Sequence, residues 1–209
     1  MKFMKLTPKI FLLFMLLACS AHWLTAQETI VAIRHAEKPP AGLGQLDCEG
    51  LNRALALPNV LIPRFGRPDA IYAPDPSVQV HDHSSQSYSY VRPLITIEPT
   101  AIQLGMPVNA QIGFTDIAGL QSALTAPAYA HALIFVSWEH VMLNKFAKQM
   151  LASYGVNPDK VPDWPNTDYD RIYIFKIRNV SGKPRLTFTI SHEGLNGKLS
   201  SACPILHLK

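Results

Sequence analysis

Two stretches of the chain place a histidine after a run of apolar residues. The run at 30–33 is followed directly by Arg34 and His35, and the run at 132–137 closely precedes His140. A buried strand that ends in this way brings a permanent cation or an imidazole to its carboxyl end, where open α/β sheets bind ligands. One Arg-His pair alone would indicate a surface turn, and one such histidine a helix cap. Two strand-end histidines with an arginine indicate a ligand site.

The elements that must position these residues alternate between strand and helix. Apolar runs predict strands at 28–33, 69–73, 106–108, 132–137, 171–177 and 185–191, and helical spacing predicts helices at 50–57, 92–104, 118–124 and 141–154. The last two strands flank a turn at 181–184 and are expected to pair antiparallel. This alternation argues for a sheet covered on both faces, so the expected fold is α/β, a three-layer αβα sandwich with a mostly parallel central sheet.

Prolines and turn residues set the expected breaks between these elements. Pro58 is expected to interrupt the first helix, with a loop over 63–68, and Pro99 is expected to kink the second. Residues 164–170 are expected only to lead into the strand that follows them.

Residues 1–26 have the pattern of an export signal, and residues 27–209 are expected to form one domain. Three lysines precede the apolar run at 10–18, which is shorter than the roughly 20 residues of a membrane-spanning helix. Two processing routes stay open. Residues 16–19 resemble a bacterial lipobox, with a lipid on Cys19 as a membrane tether, whereas a conventional leader would end before Gln27. We expect a bacterial protein that is exported, either periplasmic or lipid-anchored to the cell envelope.

The net charge comes largely from this leader. The chain has 19 basic and 15 acidic residues, for a formal charge of +4, and residues 1–26 hold three of the lysines and no acid. Removing them leaves about +1. Because no basic cluster with interleaved aromatic residues is apparent, we expect no nucleic-acid partner. The sequence leaves the oligomeric state open.

Two further cysteines, Cys48 and Cys203, remain after the leader. In an exported protein such a pair can form a disulfide. The alternative is two unpaired thiols, one in a helix and one near the C-terminus. Sequence spacing does not show proximity, so both stay open, with the unpaired state slightly preferred.

The motifs, taken in chain order, resemble those of the histidine phosphatase superfamily, which has the phosphoglycerate-mutase-like fold. The family patterns are Arg-His-Gly, a Gly-x-x-Arg helix, a second strand that normally ends in Ser, an Arg-x-x-x-Thr helix start and a late His motif. The similar stretches of this chain are 34–36 (Arg-His-Ala), 50–54 (Gly-Leu-Asn-Arg-Ala), 69–73, 92–96 (Arg-Pro-Leu-Ile-Thr) and 138–140 (Trp-Glu-His). The likeness spans roughly residues 29–177. It departs from the family at Ala36 and at Ala73, which stands in place of Ser.

The resemblance implies a metal-independent phosphomonoester hydrolase that works through a phosphohistidine. His35 is the implied nucleophile, and its ring must be neutral to attack, which the neighbouring charge of Arg34 favours. Arg34 and Arg92 would bind phosphate oxygens, and His140 would donate to another, because phosphoryl transfer needs fixed positive charge around these oxygens. If Arg92 lay beyond reach, Arg53 and Arg64 would be the next candidates.

A general acid must protonate the leaving alkoxide, and in this family it is usually a carboxyl group. Glu139 is the first candidate because it adjoins the pocket, and Glu37 and Asp116 are the alternatives. An extended backbone would point Glu139 away from His140. A turn between strand and helix would bring both into one pocket.

No cofactor and no metal are expected. His81, Asp82 and His83 could bind zinc or copper in a loop, but no third or fourth ligand follows at useful spacing, so a polar loop is preferred. The expected partner is a small-molecule or glycan-linked phosphomonoester, selected by the loops at 38–48, 74–90 and 155–168. A catalytically weak phosphoryl-binding module of the same fold and a phosphomutase remain as alternative functions.

Overall fold

A computed structural model describes residues 27–81 and 86–204, which form a central sheet between two layers of helices. The strands are β1 (Gln27–Arg34), β2 (Ala70–Pro74), β3 (Gln79–Val80), β4 (Tyr88–Ser89), β5 (Asn109–Ile112), β6 (Leu133–Trp138), β7 (Arg171–Val180) and β8 (Lys183–His192). The helices are α1 (Cys48–Ala56), α2 (Pro58–Phe65), α3 (Arg92–Leu104), α4 (Ile117–Leu124) and α5 (His140–Ser153), with short 3-10 turns at Pro127–Tyr129 and Pro158–Lys160. The expected three-layer αβα sandwich is confirmed.

The main sheet has six strands in the order β5-β2-β6-β1-β7-β8. Its first four strands are parallel, β7 runs antiparallel to β1, and β8 runs antiparallel to β7, as expected for the last two strands. β1 lies directly beside β6, with Arg34 paired to Trp138 at their carboxyl ends. The two histidine motifs of the sequence therefore end at the same edge of the sheet.

Apolar residues on both faces of β1 explain why this strand is buried at the centre of the fold. Ile30 and Ala32 pack in a cluster with residues of α4 and α5, whereas Val31 and Ile33 pack in a second cluster with residues of α2 and α3. Successive side chains of a strand point to opposite faces, so a continuous apolar run suits a strand covered on both sides. Burial on both faces fixes the register that places Arg34 and His35 at the strand end.

Two local predictions differ from the structure. Pro58 interrupts the first helix as expected, because α1 ends at Ala56. The loop expected over 63–68 is shorter than predicted: Pro58 begins α2, where a proline costs no hydrogen bond, and α2 continues through Pro63 to Phe65. The strand expected at 106–108 is also misplaced: β5 spans Asn109–Ile112, a partly exposed edge strand whose polar residues carry no apolar run.

Cys48 and Cys203 form a disulfide, so the slight preference for unpaired thiols is wrong. The bridge fastens the C-terminal segment to the start of α1. Asn52 adds to this attachment, because its side-chain amide donates to the carbonyl oxygens of Ser200 and Ala202, each at 2.8 Å.

The described part of the chain, 27–81 and 86–204, contains no helix with the length and apolarity to cross a membrane. The predicted leader with Cys19, and the residues Asp82 and His83 of the metal alternative, lie outside the described residues.

Candidate active site

The site lies where β1 and β6 end side by side. The backbone N–H of His35 donates to the carbonyl of Trp138 at 2.9 Å, which continues the pairing of the two strands by one residue. His35 is 2% exposed, Arg34 2%, Arg92 3% and His140 8%. Buried arginines and imidazoles gathered at one strand end require hydrogen-bond partners or a ligand, because burying a charge without compensation is costly.

The imidazole of His35 is held in one tautomer. Its Nδ1 lies 2.7 Å from the carbonyl oxygen of Ala36, which only accepts, so Nδ1 carries the proton and Nε2 keeps its lone pair. Burial lowers the pKa of His35 well below its usual value, and the positive charges of Arg92 and then Arg34 lower it further. A neutral ring with a free Nε2 is the form that acts as a nucleophile.

Arg34 is fixed by backbone carbonyls of the loop before β7. One terminal nitrogen, Nη1, donates to the carbonyls of Asn166 at 2.8 Å and Asp168 at 3.0 Å. The guanidinium carbon lies 3.9 Å from the centre of the Tyr169 ring, a cation–π distance. Among the described residues, no carboxylate forms an ion pair with Arg34, so its charge is oriented without being neutralised by direct contact.

Arg92 reaches the site because Thr96 ties the start of α3 to the end of β1. The Thr96 hydroxyl accepts from the backbone N–H of Ala36 at 2.9 Å and donates to the carbonyl of Arg92 at 2.9 Å. On the other side, the backbone N–H groups of Val91 and Arg92 both donate to the carbonyl of Gly44 at 3.0 Å. These contacts explain why the spacing Arg-x-x-x-Thr suits this position.

The two substitutes considered for Arg92 have other roles. Arg53 is fully buried and binds Glu37, Glu193 and Asp170. Arg64 donates to the carbonyl of His192 at 2.7 Å, in an exposed contact.

His140 is the first residue of α5, and both of its ring nitrogens face oxygen atoms. Nε2 lies 2.6 Å from Oδ1 of Asn166, and Nδ1 lies 2.6 Å from Oε1 of Glu139, close in distance but without good hydrogen-bond geometry. Asn166 also accepts from Arg34 through its backbone carbonyl. This asparagine therefore joins Arg34 and His140.

Glu139 lies beside His140, as predicted, and caps the helix that follows. Its carboxylate is the N-cap of α5 and accepts from the backbone N–H of Met142 at 2.8 Å. Burial alone would raise its pKa, but the adjacent His140 ring and hydrogen bonds from the N–H groups of Val141 and Met142 lower it to about 2. A carboxylate held ionised in this way is a poor proton donor in the free protein, where Glu139 serves as helix cap and partner of His140. Its role as general acid stays a prediction.

The two alternative acids are also engaged elsewhere. Glu37 accepts from Nη2 of Arg53 at 2.6 Å and from Nε at 2.9 Å. Asp116 is the N-cap of α4 and accepts from the backbone N–H of Gly119 at 2.8 Å. Each carboxylate considered for the general acid thus serves a local structural contact.

Glycine at position 50 explains the Gly-x-x-Arg pattern at the start of α1. A Cβ atom there would collide with the backbone of Glu37, so only glycine lets the helix approach the loop after β1 this closely. The approach brings Arg53, one turn later, against the Glu37 carboxylate. The arginine of this pattern is therefore a structural residue.

Metal-ligating side chains do not gather within residues 27–81 and 86–204. No group of three or more His, Cys, Asp or Glu in this part of the chain could hold an ion. His81 is exposed, and both of its ring nitrogens lie within hydrogen-bonding reach of the Ser87 hydroxyl. The expectation of a site without metal remains a prediction.

Known proteins resemble this chain in structure only. No protein-family model and no curated protein sequence matches it. The putative phosphohistidine phosphatase SixA from Nakamurella multipartitia is 15% identical, with a TM-score of 0.51 over 79% of this chain and 96% of that chain. The structure described as mycobacterial hydrolase 2 is 10% identical, with a TM-score of 0.51 over 78% of this chain and 89% of that chain. This chain has the histidine phosphatase fold.

A third solved structure is a phosphoserine phosphatase mutant from Entamoeba histolytica in complex with phosphoserine. It is 14% identical, with a TM-score of 0.48 over 80% of this chain and 98% of that chain.

Within this histidine phosphatase fold, three residues near the site were missed in the sequence. Tyr90 is fully buried, and its ring meets the His35 ring edge-on at 6.1 Å. Tyr169 lies 6.1 Å from the same ring and stacks against Arg34. Asn166 joins Arg34 to His140, which shows that 164–170 is more than a lead-in to β7. Of the three, only Tyr90 could have been predicted from the sequence, because an aromatic residue close to the predicted Arg92 is expected in the pocket wall.

Proposed function

We propose that the chain is a phosphatase that works through a phosphohistidine on His35 without a metal ion. The observation that carries this proposal is the hydrogen bond from Nδ1 of His35 to the carbonyl of Ala36. It leaves the Nε2 lone pair available on a ring that burial and two arginines keep neutral. The shared fold agrees with this function but does not establish it.

The reaction has two steps, and both use His35. Nε2 attacks phosphorus, the bond from phosphorus to the leaving atom breaks, and that atom takes the electron pair. Water then attacks the phosphohistidine, the bond from phosphorus to nitrogen breaks, and inorganic phosphate is released. The electron pair returns to Nε2, so the ring is regenerated neutral.

Arg34, Arg92 and His140 supply the positive and donating groups around the phosphoryl oxygens. Arginine suits this role because its planar donors match two oxygens at once. Nε2 of His140 contacts Asn166 in the free protein. Phosphate binding exchanges this contact for one to a phosphoryl oxygen.

The occupied carboxylates define the substrate class in this proposal. Glu37, Glu139 and Asp116 are each held in structural contacts, so none of them is placed to protonate a leaving alkoxide. Turnover is then fastest with leaving groups that depart without such help, as in aryl phosphates, acyl phosphates and phosphoramidates whose nitrogen is already protonated. The description of the Nakamurella protein as a putative phosphohistidine phosphatase is compatible with this class.

Trapping of the phosphoenzyme tests the proposal. Incubation with a labelled aryl phosphate followed by rapid quenching should give an acid-labile, base-stable phosphoprotein. His35→Ala should abolish both the label and turnover, and His131→Ala, which alters an exposed histidine of the loop before β6, should retain both. Substantial turnover by His35→Ala would refute the proposal.

The same carboxylates favour a second candidate, a phosphoryl-binding module with little activity. An aryl phosphate distinguishes the two, because its leaving group needs almost no acid. Phosphatase function predicts turnover of the aryl ester that far exceeds turnover of an alkyl ester. The module predicts phosphate binding by calorimetry, lost in Arg34→Ala, with no turnover of either ester.

A further inference from the structure

The hairpin of β7 and β8 carries four cations on one face. Arg178 lies directly opposite Arg185, and Lys183 lies opposite Val180, two residues further along β7. Lys176 is two residues before Arg178, so the period of two in a strand places it on the same face. We refer to Lys176, Arg178, Lys183 and Arg185 as the hairpin cations.

The hairpin cations are not neutralised within the fold. All four are exposed, and none makes an ion pair with a residue of the described ranges 27–81 and 86–204. Residues 171–192 contain no aspartate or glutamate. Like charges directly opposite each other in a sheet are destabilising, so the exposed pair Arg178–Arg185 costs stability. An anionic partner would remove this cost.

A groove of about 480 Å³ continues this face toward the amino end of the sheet. Donor side chains of Gln27, Thr29, Arg64 and Lys176 line it. It also contains Asp69, but one carboxylate oxygen of Asp69 already accepts from the backbone N–H of Leu133 at 2.8 Å. The groove therefore extends the hairpin cations with further donors for an anion.

The position of this face in the chain identifies the kind of partner. Gln27 pairs with Arg178, so residues 1–26 join the fold directly beside the hairpin cations. In the lipid-anchored route, the lipid-bearing Cys19 would precede Gln27 by only eight positions. At the tip of the hairpin, Val180 is an apolar residue, 50% exposed, on the same face as the cations. Cations around an exposed apolar residue suit a lipid interface better than a nucleic acid.

We propose that the hairpin cations and the adjoining groove dock onto an anionic phospholipid surface. This inference does not depend on the proposed function. β1 runs eight residues, or about 25 Å, from Gln27 beside the hairpin to the strand end that precedes His35. A membrane that contacts the hairpin cations therefore lies at the end of the sheet opposite the candidate active site, which stays accessible to substrate from solution.

Co-sedimentation of the full chain with lipid vesicles tests this proposal. Two vesicle types are compared, neutral phosphatidylcholine and phosphatidylcholine with about one third phosphatidylglycerol. Arg178→Gln combined with Arg185→Gln should lower the preference for anionic vesicles roughly thirtyfold, and added salt should lower the wild-type preference. The control, Lys145→Gln combined with Lys148→Gln on the exposed side of α5, changes the net charge equally and should keep the wild-type preference.

Two vesicle results would overturn the proposal: an unchanged preference for anionic vesicles in the Arg178/Arg185 variant, or an equal loss of that preference in the control variant. Tighter binding of the wild-type protein to duplex DNA than to anionic vesicles would also overturn it. So would a wild-type dimer in sedimentation velocity that dissociates in the hairpin variant. The melting temperature of the hairpin variant should equal or exceed that of wild type, because two repelling charges are removed. Hydrolysis of an aryl phosphate in solution should be unchanged in both variants.

Discussion

Arg34 and Arg53 are both buried, yet their surroundings are opposite. Arg53 is fully buried and bound by the carboxylates of Glu37, Glu193 and Asp170, so its charge is compensated by ion pairs within the fold. Arg34 is held by neutral backbone carbonyls and a tyrosine ring. A guanidinium held by neutral groups keeps an uncompensated positive charge that a ligand can bind, whereas one surrounded by carboxylates stabilises the fold. We infer that the identity of the acceptors, better than burial, separates an arginine available to a ligand from a structural one.

The largest effect on stability is expected at Arg53. Arg53→Met leaves the buried Glu193 and Asp170 and the partly buried Glu37 without their shared cation, and should lower the free energy of unfolding by about 3–5 kcal/mol. Chemical denaturation measures this loss. At a temperature where the variant is folded, kcat/KM should fall less than tenfold. A variant as stable as wild type would show that the ion cluster is not structural.

Arg34→Ala should lower activity strongly and the free energy of unfolding only slightly, the reverse of Arg53→Met. We expect kcat/KM for an aryl phosphate to fall about 100- to 1000-fold, because a preorganised cation at the phosphoryl oxygens is lost. Arg34→Lys should recover only part of this loss, since lysine lacks the planar donor pair. The two variants are compared by steady-state kinetics. A drop in stability as large as that of Arg53→Met would erase the distinction between the two arginines.

The carboxylates around Arg53 also predict a pH dependence. Burial raises the pKa of Glu193 to about 8, although Arg53 acts to lower it. The folded protein then holds a proton that the unfolded chain has lost, so stability should fall as the pH rises from about 5 to about 8. In Glu193→Gln, the free energy of unfolding should fall less steeply with pH, as chemical denaturation at several pH values would show. A smaller slope should persist, because burial also raises the pKa of Glu28, to about 7. A slope unaltered in Glu193→Gln would place the titration elsewhere.

Glu139→Gln should have a modest effect. Loss of the ionised N-cap of α5 should cost about 1 kcal/mol of unfolding free energy. Because this carboxylate is held ionised, aryl and alkyl phosphates should slow by the same factor, which rate constants for both esters would show. A much larger loss with the alkyl ester would support the general-acid role predicted from the sequence.

Removal of metal ions should have the smallest effect. EDTA is expected to leave hydrolysis of an aryl phosphate unchanged, since the proposed site uses arginine and histidine where a metallophosphatase uses ions. Activity lost on chelation and restored by one divalent metal would contradict this.

The sequence predicted those parts of the site that depend on strand burial. The apolar runs before His35 and before His140 define strand ends, and the sandwich fold follows from the alternation of elements. The loop contacts were not predictable, because Arg34 is held by backbone carbonyls, which every residue has. The cap at Glu139 was missed because glutamate is not among the preferred capping residues, unlike Asp47 and Asp116. The disulfide was missed because the spacing of two cysteines in the sequence does not show how far apart they lie in the fold.

The bridge between Cys48 and Cys203 spans 155 positions of the chain. It encloses almost the whole fold in one covalent ring, including the loop before β7 and the hairpin cations. A protease that cuts once anywhere inside this ring produces two fragments that remain one molecule until the disulfide is reduced. The protein can therefore be nicked in an exposed loop without losing either half of the candidate active site, and on a denaturing gel the cut becomes visible only in the presence of a thiol.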